Sequence, residues 1–139
     1  MALSKNEKIE LLKRTALFTQ CTKADLLEVA ISAEERESAA GVELTQEGAR
    51  SDEFFVLVDG HASVRRGGRK IAELGAGDWF GEIAVLTYKP RTATVTATSP
   101  VRLLVLDARA FRRAVETRPR IALNVLRSVA QRLENDVRG

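Results

Sequence analysis

Apolar and polar residues follow two different periods along this chain, and the changes of period divide it into three stretches. Through residue 40 the apolar positions fall at helical spacing. Ser4 with Glu7 and Thr22 with Asp25 have the spacing of capping boxes, and the second pair is followed by Leu26, Leu27, Val29, Ala30 and Ile31. Two short helices joined near Thr19 to Thr22 are predicted. From Gly41 the pattern is that of short strands broken by turns. Val42 and Leu44 open a strand, Phe54 to Val58 is a compact apolar run, Asp59-Gly60 is a turn dipeptide, and Ala62 and Val64 share one face of the next strand. Gly67-Gly68 turns the chain again before Ile71 to Leu74; Thr92 to Thr98 alternates through Ala93, Val95 and Ala97, and Val101 to Leu106 completes the series. Asp107 then has the place of an N-cap for a helix through Phe111 and Val115. Pro119 fits the first turn of another, with Ala122, Leu126, Val129, Leu133 and Val137 at helical spacing.

Short strands punctuated by glycine turns predict an α+β fold, an antiparallel, jelly-roll-like β-roll with flanking N- and C-terminal helices. The expected division is a helical segment over 1–40, the roll over 41–106 and C-terminal helices over 107–139, all within one domain. A length of 139 residues with 45% hydrophobic and 29% charged residues agrees with one soluble core.

Charge and rare residues narrow the function. Twenty-two Lys plus Arg against nineteen Asp plus Glu leave a net +3, with the signs interspersed, which argues against nucleic acid as partner. Cys21 is the one cysteine and cannot form an internal disulfide. The opening MALSKNEKIE lacks the apolar run of a signal peptide, so a reducing cytoplasmic setting is expected. No stretch approaches the roughly 20 uncharged apolar residues that span a bilayer, so no direct membrane insertion is expected. His61 is the only histidine, which removes the His-rich metal set of a cupin-like enzyme; no metal and no cofactor are expected.

Residues 77–97 are too long for an ordinary roll turn and carry the candidate chemistry. Ile83 to Leu86 can form one helical turn whose first N–H groups are unpaired, a seat for a phosphate. Arg91, just after Pro90, adds a permanently charged fork for the same anion. Gly81 lets the backbone approach a ligand closely. Glu82 repels a phosphate but can accept from a sugar hydroxyl. Each has a plainer reading as well: Arg91 in a surface salt bridge, Glu82 as a carboxylate favouring a helix N-terminus, Thr92 as a strand-edge threonine. The spacing Gly75, Gly77, Gly81 invites a dinucleotide-fold reading. It fails on context, because only a short turn separates it from Pro90. Trp79 and Cys21 read as packing residues.

The run Phe80-Gly81-Glu82-Ile83-Ala84-Val85-Leu86, a short gap, and Pro90-Arg91-Thr92-Ala93-Thr94-Val95 closely resembles the phosphate-binding cassette of the cyclic-nucleotide-binding domain family. Gly41 to Leu44, Glu47-Gly48, Phe54 to Gly60, Gly75 to Asp78 and the terminal helices extend the resemblance over nearly the whole chain. It implies that Glu82 and the Gly81 backbone bind a ribose 2′-hydroxyl, and that Arg91 with the N–H groups of Ala84 and Thr92 holds a cyclic phosphate. Ile83 and Ala93 complete the cassette side of the site, and Val64 and Leu74 are its base-pocket candidates. Leu126, Val129, Arg132 and Leu133 are the candidates for a C-terminal lid over the base. The implied ligand is cAMP or cGMP, cAMP placed narrowly ahead, since a hydroxyl at Thr92 resembles cGMP-preferring sites and some cAMP sites too.

The function implied is therefore non-catalytic. Capture of a cyclic mononucleotide moves the C-terminal helix and reports to an effector domain or partner protein not present in this chain, with a homo-oligomer through that helix as a further option. The rival is a protein-interaction module that keeps the fold without physiological nucleotide binding. Arg91 is expected to face the site and not the core, so that its removal leaves the fold intact.

Overall fold

A computed structural model describes the backbone of residues 2–138 and side chains as far as residue 134. Helix α1 (Lys5–Lys13) and helix α2 (Lys23–Ser32) flank a 3-10 turn at Ala16–Phe18. Both start on closed capping boxes: Ser4 Oγ accepts from the Glu7 N–H while Glu7 returns the bond, and Thr22 and Asp25 do the same. The strands are β1 (Glu34–Ser38), β2 (Glu43–Thr45), β3 (Glu53–Asp59), β4 (Ala62–Arg66), β5 (Arg69–Leu74), β6 (Trp79–Phe80), β7 (Thr94–Ala97) and β8 (Val101–Asp107). Helix α3 (Glu82–Thr87) interrupts them, and α4 (Ala108–Thr117) and α5 (Pro119–Arg138) follow. Asp107 caps α4 by accepting from the Ala110 N–H at 2.8 Å.

Two antiparallel four-stranded sheets, in the orders β1-β8-β3-β6 and β2-β7-β4-β5, make the β-roll. The period-2 geometry of β3 and β8 explains why both read as unbroken apolar runs. Phe54, Val56, Leu104 and Leu106 face the helices and join Leu12, Leu26, Phe111 and Ile121 in one core. Phe55, Leu57, Leu103 and Val105 face the other sheet and pack with Ala62, Val95 and Ala97 in a second. The two strands are thus buried on both faces, and Phe54 stacks on Phe111 while Phe55 stacks on Phe80.

The segment 1–40 is not wholly helical. Strand β1 lies inside it, paired antiparallel to β8 from Glu34 opposite Val105 to Ser38 opposite Val101. Its sequence, Glu-Glu-Arg-Glu-Ser, has no apolar alternation because β1 is an edge strand whose side chains are exposed or half-buried. Pairing with β8 and the ion pairs of Arg36 with Glu53 and Arg102 with Glu37 hold it there. The Asp59-Gly60 turn is where expected: Gly60 has φ +96°, and a Cβ there would come within 2.3 Å of the Pro100 carbonyl oxygen.

Candidate functional site

The cassette begins where β6 ends. Gly81, at φ +94°, takes the left-handed conformation that turns the chain out of β6 and into α3, so Glu82 becomes the first residue of that helix. Tyr88 closes α3 in a second left-handed residue, at φ 60°. The chain returns through Pro90 and Arg91 to β7. This arrangement brings Gly81, Glu82, Ile83, Ala84, Arg91, Thr92, Ala93, Val64 and Leu74 together around one cavity of about 310 Å³. That size falls at the lower end of the roughly 300–1,000 Å³ usual for small-molecule sites.

Two buried charges of opposite sign mark the cavity. Glu82 is fully buried. Its Oε1 accepts from Arg132 Nη1, and its Oε2 has no hydrogen-bond partner among the described residues. Burial pushes its carboxyl above the ordinary value of 4.5, with Arg132 and then Arg91 among the groups that pull it back. Arg91 is 4% exposed. Its Nη1 donates to the Gly81 carbonyl at 3.1 Å, and its Nη2 donates to Ser51 Oγ at 2.8 Å and to the Glu53 carbonyl at 2.6 Å. Burial lowers its pKa, opposed by Glu53, Asp52 and Glu82. Arg91 Nε, like Glu82 Oε2, is buried without a partner among the described residues.

The expectation that Arg91 only faces the site needs correction on this geometry. Three hydrogen bonds tie β3, the β2–β3 connection and the Gly81 turn to one guanidinium, so Arg91 is part of the framework as well as of the cavity wall. Nothing in the sequence announces these partners, because Ser51 lies forty residues away in a loop with no motif of its own. Arg66 and Ile71 were missed too: both line the cavity, and Arg66 Nε donates to the Thr92 carbonyl at 3.1 Å. The Arg65-Arg66-Gly67-Gly68-Arg69 stretch offered only a turn signal.

Of the four lid candidates, Arg132 alone lines the cavity. Leu126 and Leu133 are each 64% exposed, and Val129 packs on the helix-side core. The buried stripe of α5 is Ile121 and Val125 instead; the Val137 side chain lies outside the described residues. Arg132 Nη2 also donates to the Trp79 carbonyl at 2.8 Å, and Trp79 Nε1 donates to Ser128 Oγ at 3.0 Å. Trp79 is therefore half-buried packing for the helix-side core and a hydrogen-bonding link to α5 at once.

The raised carboxyl of Glu82 carries a stability consequence. A group whose folded-state pKa lies above its unfolded value binds its proton more tightly in the fold. Stability therefore rises as pH falls through that raised value toward 4.5, and is lower at the higher pH where burial of the carboxylate form counts against the fold. Glu82→Gln removes the titration. Its melting temperature relative to wild type is expected to be higher near pH ~7 than near pH ~4. Thermal melts of both proteins across that range check this, and a difference that falls with rising pH contradicts it.

The architecture is that of a ligand-holding β-roll, and comparison with known proteins places it further. Residues 35–118 match the family model of the cyclic nucleotide-binding domain. The chain is 37% identical over 70% of its length to a cAMP-dependent protein kinase regulatory subunit of Mycosarcoma maydis, of which it covers 20%. It is 32% identical over 88% of its length to a cyclic nucleotide-gated potassium channel of Rhizobium etli, of which it covers 34%. Among solved structures, cAMP-bound PfPKA-R (141–441) superposes with a TM-score of 0.86 at 27% identity, over 96% of this chain and 47% of that one. The chain belongs to the cyclic-nucleotide-binding domain family and spans a fifth to a third of the length of these curated relatives. Among the described residues no group of three or more His, Cys, Asp or Glu can hold a metal ion, and no helix is long and apolar enough to cross a membrane.

Proposed function

We propose that this domain captures a 3′,5′-cyclic mononucleotide without chemical change and passes the event through α5 to an effector. The observation that carries the reading is the pair of unsatisfied buried atoms, Arg91 Nε and Glu82 Oε2, on residues lining one cavity. A buried polar atom without a partner is costly, and a donor and an acceptor left so on two residues that line one cavity suit a ligand that supplies both complements. A cyclic phosphate accepts from Arg91 and a ribose 2′-hydroxyl donates to Glu82. Ala84 and Thr92 border the phosphate, Gly81, Ile83 and Ala93 shape the floor, and Val64 and Leu74 take the face of the base. The domain acts as a regulatory module and not as an enzyme, in the manner implied by the names of its kinase-subunit and channel relatives. The effector lies outside this sequence. Ligand shifts α5 only as far as it binds one arrangement of the helix better than another.

Calorimetric titration of the purified domain with cAMP, cGMP and 5′-AMP tests this. We expect both cyclic nucleotides to bind at least about tenfold more tightly than 5′-AMP, a difference of about 1.4 kcal/mol, with cAMP ahead of cGMP. The second negative charge of a linear monophosphate brings an added anion close to Glu82. Equal affinities for cAMP and 5′-AMP refute the cyclic-phosphate reading, and binding of neither favours the interaction-module alternative.

A further inference from the structure

We propose that Arg132 is the positioning residue of the ribose subsite: it holds one oxygen of Glu82, leaves the other for the 2′-hydroxyl, and thereby links that hydroxyl to the seat of α5. The inference rests on the cyclic-nucleotide reading above and assigns within it a role beyond covering the base.

The geometry separates the two oxygens of one carboxylate. Arg132 Nη1 takes Glu82 Oε1, while Oε2 has no partner among the described residues. The Glu82 side chain is 1% exposed and that of Arg132 is 37% exposed, so the acid is fixed inside and the base reaches it from the rim. The other arm of the fork, Nη2, donates to the Trp79 carbonyl at 2.8 Å, which fixes the plane of the guanidinium. One turn earlier on α5, Ser128 Oγ accepts from Trp79 Nε1 at 3.0 Å. Two α5 residues four apart thus grip β6 and the first residue of α3 together, and this is the only place in the cavity wall that α5 supplies among the described residues.

Charge gives the arrangement its purpose. The charged groups facing Glu82 are Arg132 from α5 and Arg91 from the segment preceding β7. Arg91 is already committed to three oxygen partners on Gly81, Ser51 and Glu53. Burial drives Glu82 toward its neutral form, and Arg132 is the foremost group opposing it. A protonated carboxyl is a poorer acceptor and free to turn its O–H elsewhere. Arg132 thus sets both the charge and the aim of the acceptor. Coupling of this kind is reciprocal: if Arg132 strengthens the 2′-hydroxyl contact, the contact strengthens the hold of α5 by the same factor.

The test compares wild type, Arg132→Gln and Arg132→Lys, each titrated with cAMP and with 2′-deoxy-cAMP between about pH 5 and about pH 8. Melting curves confirm that each variant is folded, and ¹³C NMR follows the Glu82 carboxyl without nucleotide. In wild type the 2′-hydroxyl is expected to be worth at least about tenfold in affinity at the alkaline end of the range, the scale of a hydrogen bond to a charged group. In Arg132→Gln the preference falls to within a few-fold, most at the acid end, and the Glu82 titration moves upward. Arg132→Lys restores the pH profile but not the full affinity, since an ammonium cannot hold Glu82 and the Trp79 carbonyl in one plane. A wild-type preference retained at every pH in Arg132→Gln overturns the proposal while leaving nucleotide capture standing. Wild type that binds neither nucleotide overturns the functional reading and this inference with it.

Discussion

Arg91→Ala is expected to lose nucleotide binding and to destabilise the domain together, and the two losses have separable physical causes. Removing a desolvated charge partner of a ligand anion typically costs about 2–5 kcal/mol, roughly 30-fold to several-thousandfold in dissociation constant. The same substitution strips the Gly81 and Glu53 carbonyls and Ser51 Oγ of their guanidinium donor. A partly buried acceptor left unmet costs about 1–3 kcal/mol, so a net loss of ~2–4 kcal/mol is expected against a total stability of about 5–15 kcal/mol. Arg91→Lys separates the terms. Its single ammonium keeps the charge but cannot reach three oxygens and a phosphate at once, so it should bind better than the alanine variant and still fall well short of wild type. Urea unfolding without ligand, paired with calorimetry, measures both. Alanine-variant affinity within a few-fold of wild type overturns the phosphate assignment; unchanged unfolding shows that the three hydrogen bonds contribute nothing net.

Residues near in sequence were legible and residues joined only by the fold were not. The Phe80 to Val95 pattern was legible because Gly81, Glu82 and Arg91, which line one cavity, fall within eleven consecutive residues, where sequence spacing limits spatial spacing. The capping boxes at Ser4 and Thr22 and the cap at Asp107 are local for the same reason, and each forms. Strand β1 was missed because edge strands are specified by their partner's hydrogen bonds, and Glu34 to Ser38 carry no apolar period to announce it. The contacts of Arg91 with Ser51 and of Arg132 with Glu82 span forty and fifty residues. Neither leaves a trace in composition or periodicity.

The α5 stripe shows the same limit from another side. Leu126, Val129 and Leu133 share a helical face that suits core packing as well as a lid, and Arg132 stands beside them as the fourth lid candidate. The helix buries Ile121 and Val125 and sends Arg132 into the cavity wall. Periodicity locates a face but does not say what covers it. A long arginine stem can cross apolar surface to place its charge at a buried acid, and hydrophobic patterning is blind to that.

Gly81→Ala should be as damaging as the loss of Arg91, for a reason that no side-chain inventory discloses. At φ +94° an alanine carries left-handed strain of about 1–2 kcal/mol. Strain alone is survivable, and Gly48→Ala measures it: Gly48 sits at φ +82° with nothing within 4 Å of a Cβ, so its alanine variant should lose about that much stability and keep its affinity. At Gly81 the added carbon would stand 2.9 Å from the Glu53 carbonyl oxygen, which belongs to strand β3 and cannot withdraw, and 2.7 Å from Arg91 Nη1. Relief therefore comes from moving the turn or the guanidinium, and either movement breaks the Arg91 bonds to Gly81 and Glu53. The expected cost is ~3–5 kcal/mol, the strain plus most of the Arg91→Ala loss, with affinity reduced on the scale of the Arg91 variant. Because one clash causes both, the double variant Gly81→Ala with Arg91→Ala should be less destabilised than the sum of the singles, the deficit reporting their interaction energy. Unfolding free energies of the four proteins form the cycle. Strict additivity would mean that the alanine methyl never reaches Arg91, and that the glycine is required for backbone conformation alone.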